Sequence, residues 1–205
     1  MMRKIIFLDR DGVINKFPGH GEYVGKVKDF HFLPGSLAAI RTLTQEGYSL
    51  FVISNQAGVS KGVYSRDKLN RINRYMLTHV SRAGGAIKKV FYCTHKHDAG
   101  CDCRKPKTGS IRKALRSLNK NMRHAQKAFF IGDAQSDIEA GRRAGCETIL
   151  VLSGKTRRED LGGWEEKPGH VVKNLLSAVE VIKNENSHYP CISRGRAHES
   201  GRSAL

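Results

Sequence analysis

Short apolar runs alternate with helical patterns along most of the chain, and nothing else in the sequence narrows the fold as far. Lys4–Leu8, Ser49–Ile53, Lys88–Tyr92, Ala128–Ile131 and Thr148–Leu152 are short and mostly apolar, which predicts strands of a parallel sheet covered on both faces. Ser36–Glu46, Arg66–Arg82, Ser110–Leu118, Ser136–Ala144 and Asn174–Asn184 carry helical patterns. Pro34 and Gly35 open the first of these helices and Gly47 ends it. The alternation predicts an α/β fold with a doubly wound parallel sheet, whose ligands bind beyond the carboxyl ends of the strands. One domain is expected over residues 1–185, because a chain of 205 residues can bury a sizeable core and no repeat or second core is visible. Residues 186–205 are polar, turn-rich and aperiodic, which predicts a disordered tail.

Composition excludes several classes of function. No apolar run approaches the ~20 residues that span a bilayer, so no membrane association is expected. The apolar stretch of MMRKIIFLDRDG is too short for a signal peptide and acids follow at once, which predicts the cytoplasm. There, the five cysteines are expected as thiols or metal ligands rather than disulfides. The net charge of +17 attracts anions. It is scattered, with local patches at Lys155–Arg158, at Lys120–Arg123 and in the C-terminal arginines. No basic surface interleaved with aromatics is visible, so a nucleic-acid partner is not expected. The expected state is a monomer.

The chemistry begins in FLDRDGVIN, where Asp9 and Asp11 follow an apolar run. Their shared parity predicts that a roughly extended backbone points both the same way. Two carboxylates brought together repel unless a cation or a shared proton intervenes, and Mg²⁺ takes such oxygen ligands. Gly12 lets the backbone turn close to a ligand. Taken alone, the pair is also readable as two solvated acids at a strand end. Ser54 and Asn55 in FVISNQAG and Asp133 and Asp137 in FFIGDAQSD lie just past apolar runs, and Arg104 and Lys105 in CRKPKTG lie just before a predicted helix. Acids, a hydroxyl, an amide and two cations meeting on one rim suit phosphoryl transfer, in which catalysis is mostly positioning and charge neutralisation. A carboxylate can itself accept the phosphoryl group.

In order and spacing, DRDG, the hydroxyl of SNQ, the lysine of RKP and Gly132–Asp137 (GDxxxD) resemble the motifs of haloacid dehalogenase-type phosphatases. The resemblance implies Asp9 as nucleophile and Asp11 as acid/base, with Ser54 and Lys105 holding phosphoryl oxygens. It implies Mg²⁺ on Asp9, on the backbone carbonyl of Asp11 and on Asp133, with Asp137 supporting them from outside the metal.

A second cluster lies in YCTHKHDAGCDCRKP. Cys93, His95, Cys101 and Cys103 suit tetrahedral Zn²⁺ in a closed, structural site, with His97 the alternative to His95. Cys146 and Cys191 are expected as plain thiols. Zinc here would fix a loop that runs straight into Arg104 and Lys105. With this loop, DRDGVIN and the YVxxxxDFxFLPG segment at Tyr23–Gly35, the chain resembles the D-glycero-D-manno-heptose 1,7-bisphosphate 7-phosphatases over about residues 3–183. The related histidinol-phosphatase domain has the same kind of loop, and histidinol phosphate is the alternative substrate. Relative to that family the stretch Lys16–Glu22 is longer and the zinc loop is shorter. The resemblance implies a small phosphorylated sugar as substrate, contacted by Phe17, Pro18, Gly19, His20, Asn55, Gln56, Ala57 and Arg104. Two other classes share some of these features. One is a phospho-accepting receiver domain, which has no use for the Asp-x-Asp pair. The other is a nucleic-acid 3′-phosphatase or zinc binding module, suggested by the charge alone.

Overall fold

The structure is a computed structural model that describes residues 5–187. Six strands form one all-parallel sheet in the order β3-β2-β1-β4-β5-β6. They are β1 (Ile5–Leu8), β2 (Ser49–Asn55), β3 (Ile87–Cys93), β4 (Ala128–Gly132), β5 (Glu147–Val151) and β6 (His170–Val172). Five helices accompany them: α1 (Ser36–Gln45), α2 (Arg66–Arg82), α3 (Gly109–Arg116), α4 (Gln135–Ala144) and α5 (Leu175–Ser187).

The alternation of side chains along β1 builds two cores. Ile6 and Leu8 face one side, with Ile40 and Leu43 of α1, Ile72, Met76 and Val80 of α2 and Ala178 and Ile182 of α5. Ile5 and Phe7 face the other, with Ile111 and Leu115 of α3 and Ala140 and Ala144 of α4. Phe7 lies in register between Phe51 and Phe130, so three aromatic rings form a row across the central strands. All four residues of β1 are buried, which is why the strand reads as an unbroken apolar run. Helix α2 keeps its predicted bounds because both its start and its apolar stripe are explicit. The Ser65 hydroxyl accepts from the Lys68 N–H at 3.2 Å, and Leu69, Ile72, Met76 and Val80 recur at helical spacing.

The sixth strand, β6, was not predicted. It has three half-buried residues, too few for a period to register. Strands β2 and β3 run further than expected, to Asn55 and Cys93, so the last residue of each already belongs to the site below. Helix α5 extends to Ser187, across the boundary expected at residue 185. The rest of the expected tail lies outside the described residues. Among those described, no helix is long and apolar enough to cross a membrane.

Strand order reverses between β1 and β4, and such a reversal opens a crevice at the carboxyl ends of the two strands. Asp9 follows β1 and Asp133 follows β4. The Asp9 N–H donates to the Ile131 carbonyl at 2.9 Å, which locks the two strand ends together.

Candidate active site and metal centres

Lys105 holds the centre of this crevice. Its Nζ lies 2.8 Å from Asp9 Oδ1 and 2.6 Å from Asp137 Oδ1, and it donates to the Ile53 carbonyl at 2.8 Å. A reciprocal pair sets the lysine's backbone: its N–H donates to Asn55 Oδ1, and Asn55 Nδ2 donates to its carbonyl, both at 3.1 Å. Burial works against the charge of Lys105, but Asp137 and Asp9 more than offset it and its pKa is raised.

Asp9, Asp133 and Asp137 are all buried, with ligand atoms within 4.8 Å of one another. Burial is the main cause that pushes Asp9 up to about 6; Lys105 restrains the rise, while Asp137 and Asp11 add to it. Burial, then Asp137 and Asp9, drives Asp133 well above the usual carboxylate range. One ammonium against three buried carboxylates leaves negative charge over, and an oxygen-seeking divalent cation fits that excess. Asp9 and Asp133 are suited to hold Mg²⁺. Asp137 is committed elsewhere: Oδ1 faces Lys105, and Oδ2 accepts the N–H groups of Asp133 and Ala134 at 3.1 Å each. Asp133 is cradled closely, since a Cβ on Gly12 or Gly154 would meet its Oδ2 at 2.1 or 2.0 Å. Gly12 also has φ +81°, so its glycine serves both the turn and this approach.

The Asp11 carboxylate departs from the expected common direction with Asp9. The chain leaves the strand at Arg10, whose carbonyl accepts from the N–H groups of Ile14 and Asn15. The turn carries the Asp11 side chain out of the carboxylate cluster. Its Oδ1 accepts from Arg10 Nε and Nη2 and from Asn15 Nδ2, and its Oδ2 accepts from Arg10 Nη2 and Gln56 Nε2, all at 2.8–3.0 Å. The metal role implied for Asp11 runs through its backbone carbonyl and does not call on this carboxylate. Gln56 joins two site residues, because Nε2 also reaches Ser54 Oγ at 3.1 Å while Oε1 accepts the Tyr64 hydroxyl at 2.7 Å. Ser54, Gln56 and Ala57 are buried. Sequence reasoning did not find Arg10 or Tyr64. A charged residue at the end of a wholly apolar strand was the available signal for Arg10.

In the second cluster Cys93, His95, Cys101 and Cys103 converge, and His97 stays outside it. The Cys93–Cys101 and Cys101–Cys103 sulfurs are 3.6 Å apart, and His95 Nδ1 lies 3.6 Å from Cys93 Sγ and 3.3 Å from Cys103 Sγ. A tetrahedron with bonds of ~2.3 Å to zinc has edges of about 3.8 Å, so the spacing fits. The charge fits as well. Burial pushes the Cys103 thiol up to about 12 and raises Cys93. Cys101 is lowered because backbone and thiol hydrogen bonds outweigh its burial. Three sulfurs cannot all ionise without a cation between them. Arg104 follows directly, and its Nη1 donates to the His95 carbonyl at 3.5 Å.

Phe17 and His20 stack edge to face at 5.5 Å, in a loop with Pro18 and Gly19. His20 lines a cavity of about 450 Å³ with Gln135, Lys155, Thr156, Arg157, Asp160 and Trp164. The Lys155 N–H donates to Asp133 Oδ2 at 2.7 Å, so this cavity adjoins the carboxylates.

A HAD-hydrolase-like family model matches residues 102–178. A D-glycero-beta-D-manno-heptose-1,7-bisphosphate 7-phosphatase of Pasteurella multocida is 34% identical over 91% of this chain and 100% of its own length. A D-glycero-alpha-D-manno-heptose-1,7-bisphosphate 7-phosphatase of Campylobacter jejuni is 35% identical over 78% of this chain and 88% of its own. The crystal structure of the D,D-heptose 1,7-bisphosphate phosphatase of B. bronchiseptica, complexed with magnesium and phosphate, superposes with a TM-score of 0.80 at 33% identity. That match covers 89% of this chain and 99% of the other. The carboxylates and the buried lysine at the sheet's reversal thus sit in a chain aligned almost end to end with named phosphatases, and the chain belongs to the D-glycero-D-manno-heptose-1,7-bisphosphate 7-phosphatase family of haloacid dehalogenase-like hydrolases.

Proposed function

We propose that the protein is an Mg²⁺-dependent phosphomonoester hydrolase that removes the C7 phosphate of D-glycero-D-manno-heptose 1,7-bisphosphate. The observation that carries the reading is the single buried ammonium of Lys105 between Asp9 and Asp137, at the crevice of a chain aligned with phosphatases of that substrate. Asp9 attacks phosphorus as the P–O7 bond breaks, and the phosphoryl group passes to its carboxylate. Asp11, protonated at that moment, gives its proton to the leaving sugar oxygen. It then takes a proton from the water that attacks the aspartyl phosphate, so Asp9 and inorganic phosphate are released. The Ser54 hydroxyl and Lys105 hold the equatorial oxygens. Mg²⁺ on Asp9 and Asp133 would neutralise the dianion. Cys93, His95, Cys101 and Cys103 would hold a structural zinc, which would fix the loop that leads into Arg104; Arg104 contacts the sugar phosphate, with Phe17–His20, Asn55, Gln56 and Ala57 around it. The protein works as a monomer in the cytoplasm on its small-molecule substrate.

The test is kcat/KM on both anomers of the bisphosphate, on histidinol phosphate and on a 3′-phosphorylated oligonucleotide. One bisphosphate anomer should be preferred, with ³¹P spectra losing the C7 signal. A preference for histidinol phosphate would overturn the sugar assignment. A preference for the oligonucleotide, or turnover of none, would overturn the reading itself.

A further inference from the structure

Arg10 is wholly buried at 0% exposure, among the largest side chains so placed. Its guanidinium lies between the rings of Phe30 and Tyr92, at 5.9 and 5.6 Å from their centroids. Among the described residues Asp11 is its one acidic partner, engaged through Nε and Nη2 at 2.9–3.0 Å. For stability this is a poor use of a core position, since desolvating a guanidinium and a carboxylate costs about as much as their pairing returns. What the guanidinium adds is direction. A fork with two nitrogens fixes both the position and the plane of a carboxylate. Gln56 Nε2 and Asn15 Nδ2 complete the frame, and Gln56 ties it to Ser54.

We propose that Arg10 is a positioning residue that holds the Asp11 carboxylate in the geometry for proton transfer to the leaving sugar oxygen. The inference rests on the proposed role of Asp11. The same carboxylate later activates the hydrolytic water for every substrate, so the P–O cleavage step is where the role is read: there the proton moves from the Asp11 carboxyl to the sugar oxygen and Arg10 exchanges no atom. An alkoxide leaving group needs that proton. A 4-nitrophenolate leaves without it.

The experiment compares the single-turnover rate of Asp9 phosphorylation, read by rapid quench, for the sugar bisphosphate and for 4-nitrophenyl phosphate in the parent enzyme, Asp11→Asn, Arg10→Lys and Arg10→Met. In both Arg10 variants the ratio of sugar to aryl phosphorylation rates should fall by about tenfold or more, with KM for the sugar within about threefold of the parent, as expected for loss of part of a general-acid contribution. Arg10→Lys keeps the buried charge and should fold, so it separates orientation from charge balance. Equal losses on both substrates, or an unchanged ratio, would overturn the proposal. If Asp11→Asn itself slowed phosphorylation by both substrates equally, the acid role of Asp11 would fall first. A selective loss in Asp11→Asn with none in the Arg10 variants would sink this inference alone. A second measurement needs no folded variant. The Arg10 Nε–H resonance of the parent enzyme should shift when Mg²⁺ and beryllofluoride occupy the site, and an unmoved resonance would also count against it.

Discussion

At the residue scale, one ammonium does more than any other group. Lys105 touches two carboxylates and a carbonyl within 2.8 Å and has almost no contact with solvent. Lys105→Met should therefore reduce turnover on the sugar and on the aryl phosphate alike. It should also destabilise the metal-free protein by about 3–5 kcal/mol, because it strands buried charge. Loss of activity on one substrate only would contradict this. Asp9 makes a prediction with a definite sign. Its folded value of about 6 lies above the ordinary 3.8, so the folded state keeps this proton where the unfolded state has lost it. Metal-free protein should thus lose stability as pH rises from 3.8 through about 6, and Mg²⁺ should restore it. Proton and metal compete for the same oxygens, so the Mg²⁺ needed for half-maximal activity should climb as pH falls below about 6. Thermal melts of metal-free parent and Asp9→Asn across that window check the first point. Parallel curves would refute it.

At the element scale, the zinc loop hangs between the last residue of β3, Cys93, and the start of α3 at Gly109. Cys103→Ser should lower zinc content, raise KM for the bisphosphate and leave KM for 4-nitrophenyl phosphate nearly unchanged, since Arg104 lies beyond the loop's last ligand. Zinc analysis with paired kinetics decides it, and an unchanged zinc content would remove the argument. The elements also differ in how far the sequence disclosed them. β1, β2, β4 and β5 were legible because their side chains are buried on both faces. β6 was not, because three half-buried residues at a sheet edge carry no contrast. The strand-end positions of Asp9, Ser54 and Asp133 followed from where apolar runs stop. The direction of the Asp11 carboxylate did not, because a turn closed by hydrogen bonds to the Arg10 carbonyl breaks the parity of an extended strand. Gln56 was expected, through the resemblance, as a substrate contact, and nothing in the sequence showed what it bonds to. Its three hydrogen bonds join positions 11, 54 and 64, and such joining belongs to tertiary structure.

At the scale of the whole molecule, the chain carries a net charge of +17 and its crevice must admit a multiply charged anion. The field of the protein should raise the encounter rate, and salt should screen it. kcat/KM for the bisphosphate should decline as ionic strength rises, more steeply than for a monophosphate, while kcat stays nearly level. Identical salt slopes for the two substrates would show that the charge plays no part in capture. The sheet's order places the whole constellation at one reversal, so β1 and β4 supply the acids while the β2 end and the β3–α3 connection supply the amide and the ammonium.

The reciprocal amide pair between Asn55 and Lys105 spans 50 positions of sequence and joins β2 to the segment that carries the lysine. It works as a latch below the zinc loop. The loop is clamped at its base by Cys93 and Cys103 and latched again at Lys105, so the length of chain between His95 and Cys101 is decoupled from the place where the ammonium sits. Loops are tolerant of insertion when their ends are fixed, since each doubling of length costs only about 0.6 kcal/mol. The segment is thus an exchangeable part, whose length can change while the reacting centre stays put. Inserting four residues of glycine and serine after Lys96 should leave turnover of 4-nitrophenyl phosphate intact and alter selectivity among sugar phosphates. Loss of the aryl activity would show that the latch does not isolate the two.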